Sequence, residues 1–151
     1  MIKGGYVMTV TRLETKHAAQ LAAADKICIS PPWTEKMFYD DLESASTRYF
    51  GIFDGETLTA YGGMWLAADE AQITNIAVLP EYRRKGYGKA ILDALKNEAE
   101  KTASVMLLEV RAGNAPAIAL YEKQGFRPCG VRKNYYRDPI EDAVLMSRDL
   151  E

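Results

Sequence analysis

The sequence predicts a mixed α/β fold with about seven strands and about four helices. Three observations support this fold class. Alternating, β-rich segments dominate residues 48–79, and a strand, a basic loop, a helix and a second strand follow them. No Gly/Ser-rich or Pro-rich linker divides the 151 residues. Because a chain of this length can bury one core, we expect a single domain over residues 1–151.

The N-terminal third predicts one strand and two helices. Residues 7–13 alternate polar and apolar side chains, as a strand does. Residues 16–29 carry apolar side chains at helical spacing, and this pattern ends at Ser30, before two prolines. Thr34 is a candidate N-cap for a second helix over residues 35–42.

An antiparallel meander is predicted next. Residues 48–53 and 57–66 are β-rich and flank Asp54-Gly55, a strong hairpin signal. Residues 71–79 continue the meander, and Pro80 ends it. A basic loop follows, and the apolar period then changes from that of a strand to that of a helix.

The second half predicts a helix, a strand and a helix, followed by two strands. Apolar residues recur at helical spacing from Gly88 onward, and residues 105–110 form a short apolar run typical of a strand buried on both faces. Asn114 and Gly125 occupy the N-cap and C-cap positions around a helix over residues 115–124. The last strands are predicted over residues 126–131 and 143–147. The strand, basic loop, helix and strand at the centre form a crossover unit in a mixed sheet.

Composition excludes several functional classes. The formal net charge of −2 gives no reason to expect nucleic acid or an anionic membrane as a partner. No segment has the length and hydropathy of a signal peptide or a membrane span, so we expect a cytoplasmic protein. Cys28 and Cys129 are too few and too distant for a disulfide framework and are expected to be reduced thiols.

The single histidine of the sequence limits which histidine-dependent sites the protein can form. Because His17 is the only histidine, a multi-histidine metal site is excluded, and we expect no metal. A Ser-His-Asp or Cys-His centre would have to use His17, which lies beside an alanine-rich stretch that resembles an ordinary helix face.

The loop between residues 80 and 89 predicts an anion site. It joins a strand to a helix start, where unpaired backbone N–H groups and the positive end of the helix dipole converge. Gly86 and Gly88 permit a close approach to phosphate, and four of the seven residues from Arg83 to Lys89 are cations. The loop matches neither the nucleotide-triphosphate nor the dinucleotide glycine motif. Taken alone, it is equally consistent with a solvated, charged turn.

Several sequence blocks resemble one known family. Arg83-x-x-Gly86-x-Gly88, after a strand ending in Asn75-Ile76-Ala77-Val78, resembles the pyrophosphate signature of the GCN5-related N-acetyltransferase (GNAT) family. Four further blocks resemble its ribosomal-protein-alanine N-acetyltransferase branch: Pro-Trp-Thr-Glu at 32–35, Leu-Glu-Val-Arg-Ala-Gly-Asn at 108–114, Ala-Leu-Tyr-Glu-Lys-Gln-Gly-Phe at 119–126, and Arg-Lys-Asn-Tyr-Tyr at 132–136. The resemblance runs from about Met8 to Leu150, so residues 1–7 are expected to be an extension.

The resemblance implies a fold and a donor. The fold would be a mixed, mostly antiparallel sheet with a V-shaped splay at its centre, and the co-substrate would be acetyl-CoA. Backbone amides of residues 84–89 would wrap the pyrophosphate, and residues 76–78 would bind the pantetheine arm like an added strand. A backbone N–H near Val78 would stabilise charge on the thioester oxygen. The expected cofactor residues are Ile76, Ala77, Val78, Arg83, Arg84, Lys85, Gly86, Tyr87, Gly88, Lys89, Asn114 and Tyr121.

Two residues are candidates for acid–base chemistry. Glu109 interrupts the apolar run 105–110, where a carboxylate is costly unless it is paired or faces a cleft. It is therefore either a structural partner of Arg111 or another cation, or, as the resemblance implies, a general base acting through water. Tyr121 lies two helical turns after Asn114 and can share its face, although an aromatic at helical spacing is also typical of plain core. The resemblance implies that Tyr121 is the general acid. Asn114 is also a candidate N-cap.

The acceptor side is predicted less directly. Trp33, Tyr135 and Tyr136 are candidate walls of a peptide groove, although Trp33 and one of the tyrosines are also candidates for the core. The resemblance implies that the acceptor is a protein N-terminus, the N-terminal alanine of a small-subunit ribosomal protein. A peptide α-amine has a pKa of about 7.7–8.0 and lysine about 10.4, so deprotonating lysine at neutral pH costs roughly 3.5 kcal/mol more.

Alternatives stay open at this point. They are a small-molecule amine or a lysine side chain as acceptor, and a coenzyme-A-binding module without catalysis. The acidic pairs Asp40-Asp41 and Glu141-Asp142 are candidates for attracting a basic substrate.

Overall fold

From Thr11 onward, helices and strands follow one another in the order that the sequence predicts. The computed structural model describes residues 2–3 and 6–150. The strands are β1 (Ile2–Lys3), β2 (Tyr6–Val7), β3 (Thr11–Arg12), β4 (Thr47–Asp54), β5 (Thr57–Ala67), β6 (Glu70–Val78), β7 (Val105–Arg111), β8 (Arg127–Tyr136) and β9 (Glu141–Asp149). The helices are α1 (Ala18–Cys28), α2 (Glu35–Glu43), α3 (Tyr87–Ala99) and α4 (Ala115–Lys123), with 3-10 turns at Thr15–His17 and Pro80–Tyr82.

Seven of the strands form one sheet, in the order β3-β4-β5-β6-β7-β9-β8. Among these strands every neighbouring pair is antiparallel except β6 and β7, which run parallel from Glu70–Gln72 against Val105–Leu107. Past Gln72, β6 carries a bulge, because Asn75 pairs with Gly63 and Ile73 with Met64. A bulge bends its strand, and β6 and β7 separate from there on. The V-shaped splay expected at the centre of the sheet is confirmed.

Helices cover both faces of this sheet. Consecutive glycines on β5 mark the two faces: a Cβ at Gly62 would lie 2.5 Å from Ile91 of α3, and one at Gly63 would lie 2.5 Å from Tyr49. Ile91 belongs to a core cluster with α3 and α4, whereas Tyr49 belongs to a second cluster with α1 and α2. Fully burying a large apolar side chain stabilises a fold by roughly 1.5–3 kcal/mol, so each face holds its helices firmly. No helix in the described part of the chain is long and apolar enough to cross a membrane.

Two predictions about strands are wrong in part. The predicted strand over residues 7–13 is interrupted, since β2 ends at Val7 and pairs with β1 in a separate two-stranded sheet, and β3 begins at Thr11. Of the expected extension over residues 1–7, residues 1, 4 and 5 lie outside the described part. The strand predicted to be buried on both faces, β7, alternates buried and half-buried residues instead. Its half-buried face includes Glu109, at the position where the sheet opens.

Candidate functional site

A cavity of about 680 Å³ lies where β6 and β7 separate. Its walls come from the end of α1 and the loop after it, β6, β7, α4 and the end of β8. The lining residues are Cys28, Ile29, Ser30, Pro31, Ile73, Thr74, Asn75, Ile76, Leu108, Glu109, Val110, Arg111, Asn114, Ala117, Tyr121, Tyr135, Tyr136 and Arg137. Of the predicted catalytic and acceptor residues, the cleft brings together Glu109, Tyr121, Tyr135 and Tyr136.

The basic loop forms the start of α3. Arg84 and Gly86 adopt left-handed backbone conformations, with φ of 64° and 84°. Ala90 is the first helix residue whose N–H bonds back to the loop, to the carbonyl of Gly86 at 3.1 Å. The N–H groups of the first helical turn therefore have no partner within the helix and are directed out of its N-terminus. This arrangement fits an anion such as a phosphate.

Side chains of the loop connect it to the cleft. Arg83 donates through Nε to the carbonyl of Val78 at 2.9 Å. A Cβ at Gly88 would lie 3.2 Å from Leu120 Cδ2, so glycine allows α3 to begin close to α4. Lys89 forms an ion pair with Asp93 at 2.9 Å. The loop residues do not line the cavity itself, but Arg83 and Gly88 fix the loop against the strand and the helix that do.

The edge of β6 that faces the cleft offers backbone groups. Leu79 donates its N–H to Thr59 of β5, and Ala77 pairs with Tyr61 in the same ladder. Because backbone groups alternate in direction along a strand, those of Ala77 point toward β5 and those of Ile76 and Val78 point away from it. The Val78 carbonyl accepts from Arg83 and from Cys28 Sγ, at 3.6 Å.

Glu109 faces the cleft and is also paired. Its carboxylate lies 2.8 Å from Arg132 Nε and accepts a hydrogen bond from the Tyr135 hydroxyl at 3.3 Å. Arg111, the neighbour considered as a partner from the sequence, forms its ion pair with Glu141 at 3.3 Å instead. The Glu109 carboxylate is therefore both paired with a cation, Arg132, and directed toward the cleft.

Arg111 fastens the hairpin between β8 and β9 to the cleft. Its guanidinium donates to the carbonyls of Arg137 at 2.9 Å and Pro139 at 3.0 Å, and lies 4.6 Å from the ring centroid of Tyr136. Glu141 also accepts from the N–H of Gly113 at 2.6 Å. These contacts hold Tyr136 in the cavity wall.

The acidic pairs that were candidates for attracting a basic substrate have partners within the chain. Glu141 pairs with Arg111, and Asp142 accepts the N–H of Asn134 at 2.9 Å. On α2, Asp41 accepts the Tyr49 hydroxyl at 2.8 Å, and Asp40 pairs with Lys36 at 2.8 Å. Their charge is therefore largely compensated locally.

Tyr121 and Asn114 lie on the α4 side of the cavity. Asn114 caps the helix, with Oδ1 accepting the N–H of Ala117 at 3.2 Å, and also lines the cleft. Tyr121 is only 8% exposed and packs against Phe126 with ring centroids 5.9 Å apart. Burial, with a smaller contribution from Tyr136, raises the pKa of Tyr121 to about 12. Tyr121 therefore keeps its proton throughout the neutral range.

The acceptor candidates divide into two groups. Tyr135 and Tyr136 line the cleft at the end of β8, and their rings meet edge to face with centroids 5.1 Å apart. Trp33 is not among the lining residues. Its ring packs on that of Phe38, with centroids 5.4 Å apart, and its backbone N–H donates to the buried carboxylate of Asp25 at 2.8 Å.

Sequence reasoning missed three contributors. Cys28 enters the cavity wall at the end of α1, and burial raises the pKa of its thiol. Arg132 was noted only as part of a motif, although it contacts Glu109. Asp25 is 1% exposed and accepts from Trp33 and from the Tyr61 hydroxyl. A charged residue among the alanines of α1 was the available signal, since a buried carboxylate needs partners.

Known proteins resemble this chain in sequence and fold. A model described as the Acetyltransferase (GNAT) family matches residues 18–126. The [ribosomal protein bS18]-alanine N-acetyltransferase of Escherichia coli (strain K12) is 39% identical over 144 residues, covering 92% of this chain and 95% of that protein. A Bacillus subtilis (strain 168) protein is 45% identical over 117 residues, covering 76% of this chain and 78% of that protein. Its name assigns it the same activity provisionally.

A solved structure agrees with these relatives. The crystal structure of the ribosomal-protein-S18-alanine N-acetyltransferase from Escherichia coli superposes with a TM-score of 0.87 at 36% identity, covering 96% of this chain and 95% of that one. The splayed sheet and the loop at the start of α3 point to the same family as these similarities do. The chain therefore belongs to the GNAT family and is an acetyl-CoA-dependent N-acetyltransferase.

Proposed function

We propose that the protein acetylates the N-terminal α-amine of a protein, and that its substrate is the N-terminal alanine of the small-subunit ribosomal protein bS18. One observation carries the chemistry: the divergence of β6 and β7 gathers Glu109, Tyr121 and the open edge of β6 around a single cavity. The names of the Escherichia coli and Bacillus subtilis relatives support the choice of acceptor.

The donor would be held by the loop and by β6. Acetyl-CoA supplies the acetyl group as a thioester, with a pyrophosphate and a pantetheine arm as binding handles. The unpaired N–H groups at the start of α3 and the left-handed turn at Gly86 fit the pyrophosphate. Ile76 and Val78 would hydrogen-bond the pantetheine amides. Val78 can do so through its N–H, which points away from β5, since its carbonyl already accepts from Arg83 and Cys28.

Glu109 would act as the general base. An α-ammonium must lose a proton before its nitrogen attacks the thioester carbon, and a carboxylate facing the cleft accepts that proton through a water molecule. The Oε1 atom of Glu109 accepts a hydrogen bond from Tyr135 and the Oε2 atom forms an ion pair with Arg132, so both oxygens keep lone pairs for that purpose. An α-amine, with a pKa of about 7.7–8.0, needs less help from such a base than a lysine amine does.

Tyr121 would assist the departing thiolate as a hydrogen-bond donor. A thiol has a pKa of about 8.5, and the pKa of Tyr121 is about 12, so complete proton transfer would be uphill by roughly 5 kcal/mol. A hydrogen bond from the buried hydroxyl stabilises the thiolate without that transfer. The proton that reaches the thiolate therefore comes finally from solvent or from the base side.

Tyr135 and Tyr136 would form one wall of the acceptor channel. Both rings line the cleft beside Glu109, and Tyr135 is 47% exposed. Ile29, Ser30 and Pro31, which follow α1, also line the cleft. An extended N-terminus that enters along Tyr135 and Tyr136 would reach the carboxylate with its amine first.

A peptide assay tests this function. Acetyl-CoA is supplied with a peptide that begins with a free alanine, with the same peptide N-blocked but carrying lysine, and with a panel of small amines. We expect turnover of the free-alanine peptide alone, and a loss of about 100-fold or more in kcat for Glu109→Gln. Acetylation of the lysine or of a small amine, with the free α-amine left unmodified, would contradict the proposal. Acetyl-CoA bound tightly but transferred to nothing would favour a non-catalytic module.

A further inference from the structure

Glu109 is the one carboxylate among the cleft-lining residues in the described part of the chain. Its Oε2 atom contacts Arg132 Nε at 2.8 Å, and its Oε1 atom accepts from Tyr135 at 3.3 Å. One contact on each oxygen restricts the orientation of the carboxylate plane. Because an ionised carboxylate has about four acceptor sites, both oxygens can still accept from water or from an ammonium.

Arg132 reaches this carboxylate across an intervening strand. Arg132 pairs with Ala143 of β9, and Glu109 pairs with Leu145 of β9. Paired residues share a face of the sheet, as do residues two apart on one strand. Arg132 and Glu109 therefore lie diagonally on the same face with β9 between them. The small, buried side chain of Ala143 leaves space for this reach.

The contact forms part of a closed triangle. The Arg132 guanidinium lies 5.8 Å from the ring centroid of Tyr135, within cation–π range. Arg132 is 58% exposed, whereas Glu109 is 19% exposed. An ion pair with one exposed partner contributes little to folding, so stability alone does not account for two groups that converge on a carboxylate in the cleft.

Other titratable and charged groups face the same cleft. They come from α1 (Cys28), β7 (Arg111), α4 (Tyr121) and the end of β8 (Tyr135, Tyr136 and Arg137). The thiol and the phenols are neutral at neutral pH, and Arg111 is already paired with Glu141 at 3.3 Å. Arg132 is thus the cation in direct contact with Glu109 among the described residues.

We infer that Arg132 is a positioning residue for acetyl transfer, which holds the Glu109 carboxylate aimed into the cleft. The inference rests on the proposed role of Glu109 as general base. A general base must lie within hydrogen-bond reach of the proton that it accepts, directly or through one water molecule, so the direction of its carboxylate affects the rate.

The separate effects on kcat and KM test this role, with the amine that the wild type acetylates as acceptor. In Arg132→Gln we expect kcat at pH 7 to fall about tenfold, because the carboxylate is no longer held in the productive direction. KM for acetyl-CoA should not change. Arg132→Lys keeps a cation at this position and should restore most of kcat. Arg127→Gln is the matched control, since it removes an exposed cation at the other end of β8, and it should keep the wild-type kcat and KM.

A double variant distinguishes a failure of the Arg132 inference from a failure of the proposed role of Glu109. In the Glu109→Gln background, Arg132→Gln should lower kcat/KM by less than about twofold, because its effect acts through Glu109. A full tenfold loss in that background, or a lower rate accompanied by a rise in KM for acetyl-CoA, would show a merely structural role and overturn the inference. A wild-type kcat in Arg132→Gln would overturn it while leaving the base intact. Wild-type activity in Glu109→Gln would instead refute the base, and the inference with it.

Discussion

The carboxylate of Asp142 accepts a hydrogen bond from the backbone N–H of Asn134 at 2.9 Å, at a point where β8 leaves its regular pairing with β9. Asn134 has a φ of 52°, in the left-handed region. Consecutive side chains of a regular strand point to opposite faces, yet Tyr135 and Tyr136 both line the cleft. The irregularity at Asn134, held by Asp142, accounts for this shared direction.

Asp142→Ala should therefore weaken acceptor binding selectively. Without its anchor, the end of β8 can return to regular alternation, and one tyrosine would then turn away from the cleft. We expect kcat/KM for the peptide to fall about tenfold while KM for acetyl-CoA stays unchanged. Asp149→Ala, at the far end of β9, is the control. An equal rise in both KM values would point to general loosening of the fold instead.

The hydrogen bond between Asn134 and Asp142 depends on the protonation state of the Asp142 carboxyl group. The N–H of Asn134 is the main cause that lowers the pKa of Asp142. A carboxyl with a lowered pKa in the folded state contributes stability above its ordinary value of about 3.9, and that contribution is lost as pH falls through the lowered pKa. Peptide KM should therefore be independent of this group from pH 5 to 8. A rise in KM between pH 6 and 5 that disappears in Asp142→Ala would contradict the assignment.

Tyr121→Phe should lower kcat about tenfold with little change in thermal stability, because the ring still packs on Phe126. Since the pKa of Tyr121 is about 12, the wild type should show no alkaline limb from this group below pH 10. A raised pKa means that the associated stability is present below the unfolded value of about 10 and is lost as pH rises toward 12. Tyr39→Phe, at an exposed position of α2, is the control. An alkaline limb near pH 9 that vanishes in Tyr121→Phe would refute this account.

Gly88→Ala should weaken the interaction of the loop with the pyrophosphate of acetyl-CoA. The added methyl group would lie 3.2 Å from Leu120 Cδ2, so the start of α3 and its N–H groups would have to move away from α4. We expect kcat/KM for acetyl-CoA to fall about tenfold. The matched comparison is acetyl-pantetheine, which lacks the pyrophosphate, and its kcat/KM should stay within about twofold of the wild type. Equal losses with both donors would show that the loop does not contact the pyrophosphate.

Asp25→Asn should destabilise the fold and loosen the wall formed by residues 29–31. An amide placed at this site offers one oxygen where the carboxylate accepts both the Trp33 N–H and the Tyr61 hydroxyl. Leaving one buried donor unsatisfied costs about 1–3 kcal/mol in the free energy of unfolding, which urea titration measures. Peptide KM should rise as well. Lys26→Gln, an exposed neighbour on α1, should behave as the wild type does.

The local signals in the sequence predicted the elements well, because short-range geometry determines them. The hairpin at Asp54-Gly55 is confirmed, and Gly55 has the left-handed φ of 61° that such a turn requires. Thr34 and Asn114 both cap the helices assigned to them. The order of strands and helices and the crossover through α3 are confirmed for the same reason.

Long-range pairings were beyond the reach of sequence patterns. Arg132 contacts Glu109 only because β9 inserts between β7 and β8, and no local spacing indicates that strand order. Arg111 was the nearer candidate in sequence and proved to fasten the β8–β9 hairpin. Trp33 packs on Phe38, because Asp25 holds its backbone toward the core, and nothing in the Pro-Trp-Thr-Glu block predicts that contact.

The most direct measurement of the central claim is the position of acetyl groups on intact ribosomal protein bS18 with a free N-terminal alanine. The protein is incubated with acetyl-CoA and the enzyme, and mass spectrometry then maps the modified sites. We predict one acetyl group on the α-amine of the alanine, none on lysine side chains, and product formation at least about 100-fold slower with Glu109→Gln. Acetylation of lysines while the N-terminus stays free would contradict the account.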